Sequence, residues 1–184
     1  MDDKMLETIE SVRDHGVLVP ALVREKPTGG YEMISGHRRK MASELAGKET
    51  IPCIVRNLSD DQAVIVMVDS NLQREEILPS EKAFAYKMKL DAMKRQGQRR
   101  DLTSVPLAQK FKGKTSREIL GEQVGESQDQ IRRYIRLTEL IPEILEMVDD
   151  KKISMRPAVE LSYLPKEEQE ILYDTMESEA CTPS

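Results

Sequence analysis

Apolar residues recur at Met5, Leu6, Ile9 and Val12 behind an acidic start. This helical spacing predicts an amphipathic helix over residues 2–15, closed by Gly16. Residues 17–24 and 31–34 read as strands on either side of the turn Pro27-Thr28-Gly29-Gly30, a hairpin, and residues 51–55 as a third strand that Pro52 confines to an edge or a strand start. Helix formers fill 37–46 ahead of Gly47, and Ser59 or Asp60 can cap a helix over about 61–72. Pro79-Ser80 opens a long helix, with Ser80 as the expected cap and Ala83, Phe84, Leu90 and Met93 as its expected buried side, ending near Gly97. Further helical patterns cover 116–124, 128 to about 140, 142–148 and 166–177, before a frayed Cys-Thr-Pro-Ser end. The expected architecture is an α+β domain over residues 1–76, followed by an all-α domain over residues 77–184.

Composition narrows this picture. Aromatic residues make up only 4% and there is no Trp, so the core rests on Leu, Ile, Val, Met and Ala, as suits small helical units. Cys53 and Cys181 are too few and too far apart for a metal knuckle or a disulfide framework, and both are expected as plain thiols of a reducing cytoplasm. No apolar run approaches the roughly 18 to 20 residues that cross a bilayer, and the start Met-Asp-Asp-Lys is unlike a signal peptide, so no membrane is expected.

Charge changes the reading more. The net charge is −5, yet residues 94–136 carry eleven Lys and Arg against five Asp and Glu, a local +6 that leaves −11 for the rest. An acidic chain with one basic band can hold double-stranded DNA by that band and keep its other surfaces away. Residues 116–140 lie in it and have helix-turn-helix spacing: small Gly121 where two helices meet, Gly125 for a left-handed turn, Ser127 as cap, and Ile131 with Tyr134 turned inward. Gln128, Asp129, Gln130, Arg132, Arg133 and Arg136 are then expected to face solvent. A recognition helix meets base edges with its amino-terminal residues, which makes Gln128 and Gln130 the candidate base readers. Arg132, Arg133 and Arg136, with Lys112, Lys114, Arg117 and Ser127, are candidate DNA contacts, mainly to phosphate.

A second constellation lies at Ser35-Gly36-His37-Arg38-Arg39, where a strand hands over to a helix. A helix start offers unpaired N–H groups, Gly36 lets a ligand approach the backbone, and forked guanidinium groups match phosphate oxygens, so the stretch is a candidate anion site.

Ile34-Ser35-Gly36-His37-Arg38-Arg39 resembles the Gly-Glu-Arg-Arg box of ParB-type (ParB/RepB) partition proteins, and two more boxes stand in that family's order, residues 16–24 and 71–79. The resemblance runs from about Met5 to about Leu164, with 151–161 resembling the helix after the motif. It implies an amino-terminal ParB/sulfiredoxin-like fold and a nucleotide site for CTP with Mg2+, built from Gly16, Val17, Pro20, Ser35, Gly36, His37, Arg38, Arg39, Asn71 and Arg74, Asn71 being the candidate metal ligand. It also implies a palindromic, centromere-like DNA site, a homodimer in a longer protein, a nucleoid-associated place in the cytoplasm, and a ParA-type ATPase partner met by an amino-terminal arm that the resemblance places ahead of this chain's first helix. Ser70 stands where the family usually has Glu, His37 where it more often has Glu and Val19 where Gln is common, so CTP is expected to bind and to be hydrolysed slowly at most.

Other classes stay open. A DNA-binding regulator without a nucleotide would keep the basic band but have no use for two arginines on a glycine turn. A sulfiredoxin-like enzyme or phosphotransferase would share the fold; the former needs a reactive cysteine at the turn, whereas Cys53 falls on the third strand. His15 and His37 are the only histidines, which gives a metal-dependent nuclease little support.

Overall fold

The computed structural model describes residues 3–74, 76–98, 114–179 and 181. Two compact units divide between Ser70 and Asn71, ahead of the expected boundary at 76.

The first unit begins with α1 (Asp3–His15), followed by β1 (Ala21–Glu25), β2 (Tyr31–Ser35), α2 (His37–Leu45), β3 (Cys53–Val55) and α3 (Asp60–Leu72), whose last two residues belong to the second unit. The sheet order is β2-β1-β3, with β1 antiparallel to β2 and parallel to β3. Met5, Ile9 and Val12 of α1 close on Ala42 of α2, while Ala21, Val23 and Ile34 are buried sheet positions. Arg24 ties the unit together from the end of β1: its Nε donates to Glu32 at 2.6 Å and its Nη1 lies 2.8 Å from Asp60 at the start of α3.

Two strands are shorter than expected. Residues 17–20 form a loop outside the sheet, bent at Leu18 and Val19, since Pro20 has no N–H for a ladder and the carbonyls of Val19 and Pro20 turn to an arginine described below. β3 starts only at Cys53, although the Pro52 carbonyl already accepts the Ala21 N–H at 2.9 Å. The helix cap at Ser59 is as expected and is reciprocal: Ser59 N–H donates to Gln62 Oε1 at 2.9 Å, and Gln62 N–H to Ser59 Oγ at 3.3 Å.

The second unit holds α4 (Pro79–Gln98), α5 (Ser116–Val124), α6 (Gln128–Leu137), α7 (Pro142–Asp149), α8 (Met155–Leu161) and α9 (Lys166–Glu179). α4 buries Ala83, Tyr86, Lys89, Leu90 and Ala92, whereas Phe84 is exposed, contrary to the expected face. Small Ala83 and Ala92 let neighbouring helices approach that side, and the periodicity of Phe84 alone could not choose it. Ser80 is not the cap either. It sits inside α4, where its N–H and hydroxyl both donate to the Asp149 carboxylate at the end of α7, so a charge from another helix serves α4's start. Gln169 does similar work inside: its Oε1 accepts the Ile141 N–H at 2.9 Å and its Nε2 donates to the carbonyls of Glu139 and Leu164. Among the described residues no helix is long and apolar enough to cross a membrane.

Candidate functional site

In the first unit the candidate site is the turn between β2 and α2. Gly36 adopts φ 110° and ψ 16° and supplies no side chain to cap α2. A Cβ added there would stand 2.8 Å from Ala21 Cβ, so the position needs glycine for both conformation and space. Ser35, just ahead, shares a hydrogen bond of 2.6 Å with Ser70 of α3. The residue at the departure from the family pattern therefore adjoins the turn, as an uncharged hydroxyl.

The arginines of the turn differ in task. Arg39 is half-buried, and its Nη1 donates to the carbonyls of Val19 and of Pro20, each at 2.6 Å. It thus straps the loop 17–20 to the first turn of α2, two sequence boxes held together by one guanidinium. Arg38 and His37 are exposed at the helix start. Val17 is half-buried, while Leu18 and Val19 are exposed beside the strap. Cys53 lies on β3, separated from β2 and its turn by β1.

Asn71 and Arg74 belong to the second unit and bond each other, Arg74 Nη2 donating to Asn71 Oδ1 at 3.0 Å. Among the described residues no group of three or more His, Cys, Asp and Glu could hold a metal ion.

The helix-turn-helix of the second unit is built as its spacing implies. Thr115 caps α5 in a reciprocal box with Glu118, Gly125 ends it at φ 71°, and Ser127 Oγ accepts the Gln130 N–H at 3.1 Å to start α6. The Glu118 carboxyl is held below the usual range by the Thr115 N–H first, with the Gln128 amide contributing. A Cβ on Gly121 would meet the Glu126 carbonyl at 2.7 Å, so only glycine permits this crossing. Ile131 and Leu137 are fully buried, and Tyr134 meets Tyr86 edge to face at 5.7 Å between centroids.

Gln128, Asp129, Arg132 and Arg133 are exposed along α6, as is Arg117 on α5; Gln130 is half-buried. Lys114 pairs with Glu122. Lys112 lies outside the described residues. The expectation of a solvent-facing Arg136 is corrected: its Nε donates to Ser162 Oγ at 3.0 Å, its Nη2 to the Ser162 carbonyl at 2.6 Å, and its guanidinium carbon lies 4.1 Å from the Tyr163 ring centroid.

Sequence reasoning missed the polar cluster beneath the motif. Lys82 of α4 donates to Glu126 in the turn at 3.0 Å and lies 5.2 Å from the Tyr134 ring centroid. The other Glu126 oxygen is buried with no hydrogen-bond partner among the described residues. Burial raises the Tyr86 pKa far above its ordinary value near 10, and the Glu126 charge adds to it. Lys82 and Tyr86 stand four apart on one helix face, which was the available signal; that this face meets the turn was not in the sequence.

Comparisons fit both halves. Residues 1–72 match the ParB N-terminal domain and residues 100–182 the ParB HTH domain. A "Nucleoid occlusion protein" of Listeria monocytogenes serotype 4b is 37% identical over 169 residues, covering 92% of this chain and 52% of that protein. Another, of Geobacillus thermodenitrificans, is 32% identical over 170 residues, with 92% and 53% covered. The chain thus spans about half the length of these curated relatives. The C-terminally truncated chromosome-partitioning protein ParB of Caulobacter crescentus, complexed to the centromeric parS site, matches at a TM-score of 0.52 and 23% identity, over 96% of this chain and 82% of that one. A structure of that truncated protein with CTP-gamma-S aligns at 0.38, below what supports a fold comparison. With both domain types in order along one chain, this protein belongs to the ParB family.

Proposed function

We propose that this chain is a CTP-binding, sequence-specific reader of a palindromic DNA site. The observation that carries the nucleotide half is the turn at Gly36, closed to any side chain, set at the start of α2 and joined to loop 17–20 by Arg39. Such a turn gives an incoming phosphate backbone N–H groups and the positive end of a helix dipole. In this reading Arg38 and His37 stand at the mouth, Arg39 holds the loop of Gly16, Val17 and Pro20 in place, and bound CTP brings Mg2+ on its phosphates. Ser70, bonded to Ser35, puts a hydroxyl where the family usually has a carboxylate that could hold the ion or orient water, and turnover is slow. DNA binding is assigned to α5 and α6, with Gln128 and Gln130 reading bases and Arg117, Arg132 and Arg133 on phosphates.

Relatives named for nucleoid occlusion favour that branch of the family over partition for the finer role; a dimer of the longer protein fits a two-fold DNA site in either branch. A ParA-type ATPase partner belongs only to the partition version of this proposal.

Isothermal titration of CTP, ATP, GTP and UTP with Mg2+ tests the nucleotide half. CTP alone should bind tightly, and Arg39→Ala should weaken it at least about tenfold by releasing the loop, the size of one charge-assisted contact. Ser70→Glu should raise hydrolysis with little change in affinity. Equal binding of all four nucleotides, or unchanged affinity in Arg39→Ala, sinks this assignment.

A further inference from the structure

Arg136 presents a contradiction between phase and position. At about 100° per residue, positions 129, 132, 133 and 136 share one side of α6, and Asp129, Arg132 and Arg133 are exposed there. Arg136 sits in the middle of that stripe, yet its head is folded back onto α8. Two of its nitrogens bond Ser162, one at the hydroxyl and one at the carbonyl, and the guanidinium plane lies over Tyr163. Ser162 is only 2% exposed and its hydroxyl donates onward to the Val159 carbonyl at 2.6 Å, so the acceptor is itself fixed. The contact also gives a cation to the carboxyl end of α8, the favourable place for one.

We infer that Arg136 is a positioning residue for DNA reading, which fixes the rotation of the recognition helix against α8 through Ser162 and Tyr163. The inference rests on the DNA-reading role proposed above. On one side of α6, Ile131, Tyr134 and Leu137 pack inward and set its depth; Arg136 leaves the other side, where a tie has most leverage on the helix's freedom to rotate about its axis. A forked, planar group bonded at two points and stacked at a third removes that freedom, and lysine cannot replace it. The determinants of base choice therefore extend to residues 162 and 163, beyond the two helices of the motif.

The test compares two kinds of duplex by fluorescence anisotropy across a salt series: one enriched by the unmodified chain from a randomised library, and a shuffled duplex of equal composition. Arg136→Lys and Arg136→Ala should each weaken binding to the enriched duplex about tenfold, the scale of misreading one base pair, while the shuffled duplex changes by less than about twofold and the salt slope is unchanged. Tyr163→Phe, which keeps the ring, should behave as the unmodified chain; Tyr163→Ala should lose discrimination. Without DNA, amide exchange over residues 128–137 should rise in Arg136→Lys, a variant in which the charge is kept and unfolding can be checked by melting. The inference is overturned if Arg136→Lys retains full discrimination, or if Arg136→Ala weakens both duplexes alike and lowers the salt slope by about one, the behaviour of a phosphate contact. Failure of the unmodified chain to enrich any duplex instead overturns the DNA-reading role itself, and the positioning role with it.

Discussion

Gly36 in the first unit and Gly121 in the second both exclude a side chain, but they do so differently. At Gly36 the backbone is left-handed at φ 110° and a Cβ would also press on Ala21; at Gly121 the backbone is helical and the obstacle is the Glu126 carbonyl at 2.7 Å. One position is constrained by conformation and space together, the other by space alone. The first unit thus builds its candidate site from a backbone shape held by one arginine, while the second builds its surface from interlocked side chains, with Lys82, Tyr86 and Tyr134 under the turn and Arg136 at the far end.

The largest effect should separate these two designs. Gly36→Ala combines a left-handed penalty of about 1–2 kcal/mol with overpacking of about 1–3 kcal/mol, and should abolish nucleotide binding. Gly121→Ala carries only the overpacking part, about 1–3 kcal/mol, and should lower DNA affinity more than nucleotide affinity. Denaturant unfolding that finds Gly121→Ala the costlier of the two would break the comparison.

A smaller effect belongs to the second unit's polar cluster. Lys82 and Tyr86 both hold their protons more tightly folded than unfolded: burial is the largest single influence on Lys82 and opposes its charge, but the hydrogen bond and charge of Glu126 together with Tyr134 outweigh it, and burial disfavours the Tyr86 phenolate. Their contribution is complete below the ordinary values near 10 and falls as pH climbs past them. Melting temperatures from pH 8 to 11 should decline, less steeply in Tyr86→Phe. An unchanged slope in that variant would remove Tyr86 from the account. The Arg24 guanidinium, raised further by its hydrogen bond to Glu32, stays charged throughout and adds no alkaline step to the first unit.

The smallest effect is a gain. Lys151, past the end of α7, has φ 61°, a conformation that costs a side chain but not glycine. Lys151→Gly should stabilise the second unit by about 0.5–1 kcal/mol in equilibrium unfolding, and a loss would show that the lysine side chain contributes more than its backbone costs.

Much of this was legible where local chemistry decides. Gly121, Gly125 and Ser127 announce the helix-turn-helix because close approach, a left-handed turn and a cap each demand particular residues. The Gly36 turn is legible for the same reason. The misreadings concern choices that only tertiary packing makes. Phe84 has the right period for a core position but lies off the side that Ala83, Tyr86 and Leu90 bury. Ser80 looks like a cap because the carboxylate that serves the helix start, Asp149, is 69 residues away. Arg136 reads as a DNA contact because it lies in phase with Arg132 and Arg133, and its partner Ser162 is named by nothing in the motif.

The placement of β1 in the middle of the sheet has a kinetic consequence. Its partner β2 follows within a short turn, so that pairing closes a small loop, whereas β3 is parallel and meets Ala21 only at Cys53, after α2 has been traversed. Closing the longer loop costs more entropy before any contact offsets it, and the three residues of β3 are all exposed and recover little by burial. The hairpin is therefore expected to form early in this unit and β3 late. In the native protein the same imbalance should make amide exchange faster along the edge carrying Cys53, Ile54 and Val55 than in the hairpin.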